Sequence, residues 1–130
     1  MNKLYLLCTV LFLLSFGAGA QSLNCAKFKE GKFLIKSGNG DSLIVVRKNN
    51  IQTEYHGNDE PDRYMIEWIG NCTFLLRPTE AVVKKYPDTP KGIIMKVTIL
   101  STSKNSYKHT ISHNFGDDVL TFEGIKLKDY

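Results

Sequence analysis

The sequence predicts an all-β chain, an antiparallel meander of about eight strands that closes or nearly closes into a small β-barrel. Three observations carry this. Short segments of alternating apolar and polar residues recur from Phe28 to the C-terminus. Clusters of Gly, Asn, Asp and Ser separate them. Most connections are short, which makes sequence neighbours antiparallel partners. An open meander keeps two exposed edges, and closure removes both. A sandwich of two stacked sheets is the other arrangement available to such a chain.

The first strand is expected over residues 28–36, with Gly31 marking a bulge or bend. The turn Ser37-Gly38-Asn39-Gly40-Asp41 leads to a strand over 42–47, and Lys48-Asn49-Asn50 turns the chain into 51–56. A polar loop over 57–62 precedes the fourth strand, 63–69, and Gly70-Asn71 precedes the fifth, 72–77. Residues 78–90 break the pattern. Thr79 is placed to cap a short helix over 80–85, which Pro87 and Pro90 keep from growing. Strands then follow over 93–100, 107–113 and 119–128, the last bending at Gly124.

Within these strands the faces separate. Tyr64, Ile66 and Trp68 share one side, and Met65, Glu67 and Ile69 the other. Cys72, Phe74 and Leu76 alternate with Thr73, Leu75 and Arg77. Ile93, Met95, Val97 and Ile99 face one way along the longest strand. Several strands are apolar on both faces, so something is expected to cover the outside. The 78–91 segment, through Ala81, Val82 and Tyr86, is one candidate, and a protein partner is another.

The first twenty residues read as a secretion signal. Asn2 and Lys3 begin it, residues 4–16 are almost wholly apolar, and Ala18-Gly19-Ala20 offers a cleavage site. Removal would leave one domain over 21–130, secreted or periplasmic. The apolar run is too short for a bilayer span. Cys25 sits near the cleavage zone, but Asn24 precedes it where lipid attachment wants a small residue, so soluble export is expected. Cys25 and Cys72 remain as a pair, and in an oxidising compartment one disulfide is the simplest use of them. Closing that loop is worth roughly 4 kcal/mol by chain entropy.

Lys and Arg number 17 against 13 Asp and Glu, a formal charge of +4, which becomes +3 without Lys3. The charges are interleaved, with no basic tract of the kind that binds nucleic acid. No nucleophile elbow, zinc-protease motif, phosphate loop or calcium loop is present, and no cofactor or metal is expected. His109 and His113 are four apart in a strand, about 13 Å from each other. They are expected to be surface or half-buried histidines rather than joint ligands. The best catalytic pairing sets Glu54 or Glu67 beside a histidine. Glu67, between Ile66 and Trp68, has three readings: a general acid in an apolar cavity, an ion-pair partner of Arg47 or Arg77 inside the barrel, or a solvated side chain.

The segments Cys25-Ala26-Lys27-Phe28-Lys29-Glu30-Gly31-Lys32-Phe33 and Ile66-Glu67-Trp68-Ile69-Gly70-Asn71-Cys72-Thr73-Phe74 resemble a group of small secreted Bacteroidetes proteins. Those proteins have a C-x-x-F-x-x-G-x-F start and a central W-x-x-x-C. The resemblance implies export and no particular activity. The strand order is also similar to that of the lipocalin and fatty-acid-binding (calycin) superfamily, which implies carriage of an apolar ligand in a meander barrel. The tryptophan departs from that pattern, since Trp68 lies mid-chain rather than near the first strand.

The expected function is therefore a secreted, non-enzymatic binding module. Its ligand is a small apolar or amphipathic molecule held by Tyr64, Ile66, Trp68, Phe74 and Met95. A protein-interaction or envelope structural module and an enzyme acting through Glu67 are the alternatives.

Overall fold

A computed structural model describes residues 23–130. The expected signal over residues 1–20 lies outside the described residues. Eight antiparallel strands close into one barrel in sequence order: β1 (Gly31–Ser37), β2 (Ser42–Lys48), β3 (Ile51–Tyr55), β4 (Asp62–Trp68), β5 (Thr73–Pro78), β6 (Met95–Thr102), β7 (Ser106–His113) and β8 (Leu120–Lys128). β8 pairs back onto β1, so the meander has no free edge. The arrangement is the closed meander, not the sandwich. Among the described residues the one α-helix, α1 (Glu80–Lys85), lies in the β5–β6 connection and packs against β4 and β5.

Differences from the expected boundaries have local causes. The first strand starts at Gly31 because residues Cys25–Phe28 form a 3-10 turn. Gly31 then takes φ +137°, and a Cβ there would stand 2.6 Å from the Lys128 carbonyl oxygen. The register of β1 with β8 shifts just after it, between Lys32 and Phe33. The strand expected from residue 93 starts at Met95, because the Ile93 amide turns back to the Pro90 carbonyl (3.3 Å). The β2–β3 turn places both Asn49 (φ 53°) and Asn50 (φ 59°) in the left-handed region that a two-residue hairpin requires.

The barrel has one sealed end and one open end. The sealed end holds the 3-10 turn, the Cys25–Cys72 disulfide (Cα–Cα 5.3 Å) and a cluster of Phe28, Phe33, Ile99 and Tyr107. The Tyr107 ring lies across β8 at Gly124, where a Cβ would come within 2.3 Å of it. That contact is what the glycine in the last strand serves. The opposite end carries the β1–β2, β3–β4, β5–β6 and β7–β8 connections. Of the three residues expected to bury the β5–β6 segment, Val82 alone is buried, while Ala81 and the body of Tyr86 stay in solvent. One turn of helix presents one position to the sheet, and here that position is Val82.

Candidate functional site

Cross-strand partners share a face, so the inner face can be traced around the barrel. Ile35 pairs with Leu43, Val45 with Glu54, Glu54 with Asp62, and Gln52 with Tyr64. Leu76 pairs with Met95, Val97 with Ile111, Ile99 with His109, and His109 with Phe122. Val45, Leu76, Val97 and Ile99 are fully buried, which identifies this face as the lumen.

All five residues expected to hold a ligand are on that face and meet in one cluster. Ile66 and Phe74 are buried, with Tyr64, Trp68 and Met95 half-buried against them. They divide between the two ends. Trp68 lies at the sealed end, 4.6 Å from the Phe74 ring, with Lys29 Nζ 4.8 Å from its own ring. A cleft of about 370 Å³ runs past it, between Lys29 and the Asn49-Asn50 turn. Tyr64 and Met95 are at the open end. There a ring of inward side chains, Ile35, Leu43, Tyr64, Met95, Ile111 and Phe122, is only half-buried.

The rest of the lumen is polar. Arg47 is 2 % exposed and stands among the rings of Phe33, Phe74 and Tyr107, at 4.7, 4.9 and 5.5 Å. Its Nε donates to Gln52 Oε1 (2.8 Å), one terminal nitrogen to the Phe28 carbonyl (3.2 Å) and the other to Tyr107 Oη (2.7 Å). Gln52 passes the chain outward, donating to Glu54 Oε1 (2.9 Å). Glu54 Oε2 lies 3.6 Å from His56 Nε2, which is also 3.4 Å from Asp62 Oδ2. Asp62, its side chain 3 % exposed, accepts from Lys85 Nζ (2.8 Å) and from Tyr86 Oη (2.7 Å). A continuous polar path thus runs from the sealed end to the rim.

The two carboxyls on this path are pushed apart. Burial raises Glu54, outweighing the Gln52 hydrogen bond and the charges of His56 and Arg47. Burial would raise Asp62 too. The hydrogen bonds from Lys85 and Tyr86, with the Lys85 and His56 charges, overcome it and leave Asp62 below its ordinary value. Tyr64 is raised by burial and by both carboxylates.

His109 is a correction to the expected half-buried or surface histidine. It is 2 % exposed inside the barrel, between the Tyr107 and Phe122 rings at 5.0 and 5.7 Å. Burial and then the Arg47 charge lower its pKa to about 3, so it is neutral at physiological pH. Its Nδ1 is buried without a hydrogen-bond partner among the described residues. Glu67 is a second correction to the catalytic reading. It points out of the barrel, 55 % exposed, and pairs there with Arg77, which rules it out as a general acid in the lumen. Among the described residues no group of His, Cys, Asp or Glu is arranged to hold a metal.

Gln52, Asp62 and the depth of Arg47 are the parts of the site that sequence reasoning missed. The signal for His109 was present: Tyr107, His109 and Ile111 alternate on one face of β7. Fold and lumen together define the class, a closed eight-stranded antiparallel barrel with the meander topology of the lipocalin and calycin type, able to enclose a small apolar ligand. Comparison with protein-family models, with curated proteins and with solved structures finds no significant match to this chain.

Proposed function

We propose that the chain is exported and works as a non-enzymatic binding module, holding one small amphipathic ligand in the open end of its lumen. The observation that carries this is the ring of Ile35, Leu43, Tyr64, Met95, Ile111 and Phe122. These side chains belong to the inner face yet stay half-buried, while Phe28, Phe33, Ile99 and Tyr107 at the sealed end are fully buried and Trp68 there is half-buried. An eight-stranded barrel has room for its own side chains or for one small ligand. The disulfide supports an oxidising compartment. Fold analogy with ligand-carrying meander barrels points the same way.

Native mass spectrometry of protein purified from its own host, with organic extraction, tests the reading. A discrete bound mass is expected. Met95→Trp, which fills the open end, should abolish it, and Trp68→Ala, at the sealed end, should keep it. A clean apo mass, together with no thermal shift on adding apolar probes, overturns the proposal.

A protein-interaction role is the second reading. Met65 on β4 and Leu100 on β6 face outward and are 46 % and 53 % exposed. Unchanged co-purification from the host after Met65→Lys and Leu100→Lys counts against it.

A further inference from the structure

We propose that the lumen selects a ligand carrying a protonated amine, which Glu54 binds while the ligand's apolar body lies against β6 and β7. This rests on the lumen-binding reading above and names the ligand class for that same site.

The polar groups of the lumen are unevenly matched. Its cationic groups are taken. All three nitrogens of Arg47 are engaged with Gln52, Phe28 and Tyr107, and three aromatic rings enclose the guanidinium. The Gln52 amide is spent on Glu54, and Lys85 and Tyr86 on Asp62. Among the described residues a ligand carboxylate therefore finds no free cation inside. Two polar groups are left without a full set of partners. Glu54 Oε2 has His56 Nε2 at 3.6 Å as its nearest cationic neighbour, beyond hydrogen-bond distance. His109 Nδ1, on a side chain 98 % removed from solvent, has no partner among the described residues. A buried polar atom without a partner is costly, and a ligand that brings one gains what the empty protein lacks.

The geometry fits an amphipathic amine. Glu54 is 17 % exposed, so it is reachable from the open end and still partly desolvated, where a charge-assisted hydrogen bond is strong. Tyr64, opposite Gln52 on β4, is the diagonal neighbour of Glu54 on the same inner face, and an aromatic ring there suits a cation. β3 and β7 are four strands apart in a barrel of eight, so the strand that carries Glu54 lies across the lumen from the strand that carries His109 and Ile111. Met95, on β6, continues that apolar side. A cationic head on Glu54 thus leaves its chain pointing toward the β6–β7 side, with the unpartnered, neutral His109 ring deeper in.

The test is binding of decylamine, decanol and decanoate to the intact chain by calorimetry, with Glu54→Gln and Glu54→Asp beside the wild type. The amine should bind more tightly than the other two by roughly tenfold to a hundredfold, the worth of one charge-assisted hydrogen bond. Glu54→Gln should remove that preference and leave decanol unchanged, and Glu54→Asp should keep most of it. Equal binding of all three probes, tightest binding of decanoate, or a preference that survives Glu54→Gln overturns the amine inference and leaves the lumen reading standing. Failure of all three probes to bind overturns both.

Discussion

The wall formed by β4, β5 and β6 and the wall formed by β2 and β3 fill the same lumen with opposite chemistry. The first contributes Ile66, Phe74, Leu76 and Val97, an apolar cluster that needs nothing but close packing. The second contributes Arg47, Gln52 and Glu54, and His109 on β7 adds a further polar group from across the lumen; each loses water on entering the barrel. Burying a polar group is favourable only if its hydrogen bonds are restored. On the second wall most are restored, through the relay from Arg47 to Glu54, and at His109 Nδ1 they are not. The apolar wall is explained by folding alone. The polar groups are not, and the unpartnered nitrogen of His109 is the place where folding and function separate.

The largest expected effect tests whether the polar wall supports the fold as strongly as the apolar one. Arg47→Ala removes the donor shared by Gln52, Phe28 and Tyr107 and opens a cavity between three rings. It should cost about 3–5 kcal/mol in chemical denaturation. Leu76→Ala, the matching truncation on the apolar wall, should cost about 2–5 kcal/mol. Arg47→Met keeps the bulk and drops the donors, and should fall between Arg47→Ala and wild type. A cost below about 1 kcal/mol for Arg47→Ala would mean that the relay is merely tolerated.

The disulfide comes next. It joins residues 47 apart and closes the end at which the two walls share a floor. Replacing both cysteines by alanine should cost about 2–4 kcal/mol and lower Tm by several degrees. The open end should be unaffected, so binding of an apolar probe should survive the change. Loss of binding along with stability would show that the sealed end shapes the ligand site.

A smaller, pH-dependent effect isolates the unpaired acceptor. The pKa of His109 is about 3 when folded, against an ordinary 6.5. Between those values the unfolded chain carries a proton that the folded chain does not. Stability is therefore lost as pH falls from about 6.5 toward about 3, at up to on the order of 1 kcal/mol per pH unit from this group. His109→Phe has nothing to protonate and no stranded acceptor. It should be more stable than wild type, and the gap should widen on acidification through that window. A constant gap would mean that His109 has a hidden partner, which would weaken the case for a ligand donor.

The apolar wall was legible in the sequence and the polar wall was not, for reasons that lie in particular strands. In β4, alternation puts Tyr64, Ile66 and Trp68 on one face, and that face is the inner one. In β3 the pattern runs backwards. Ile51, Thr53 and Tyr55 face out while Gln52 and Glu54 face in, so hydrophobic alternation assigns the wrong side. In β2, Leu43 and Val45 on one face match Ile44 and Val46 on the other, and nothing local decides where Arg47 points. Asp62 depends on Lys85 and Tyr86, more than twenty residues away, which reach it only because α1 docks beside β4. The strand order was legible because short turns dictate antiparallel neighbours. The lumen's chemistry depends on pairings across the barrel.

The smallest expected effect lies outside the barrel and bounds the comparison from that side. Glu67 and Arg77 form an ion pair on the outer surface, 55 % and 38 % exposed. Solvent screens such a pair, and holding two long side chains in one geometry costs entropy, so it is worth under about 1 kcal/mol. Glu67→Gln should barely move the denaturation midpoint and should leave ligand affinity unchanged. Glu54→Gln makes the same chemical change one strand away, on the inner face. Glu54 is raised by burial, so its ionised form opposes folding once pH passes the ordinary carboxyl range, and the amide should be slightly stabilising at neutral pH. The two substitutions differ only in which way the strand turns its side chain. An equal response in stability and binding would mean that the lumen confers nothing special on Glu54, and the polar wall would then be no more functional than the surface.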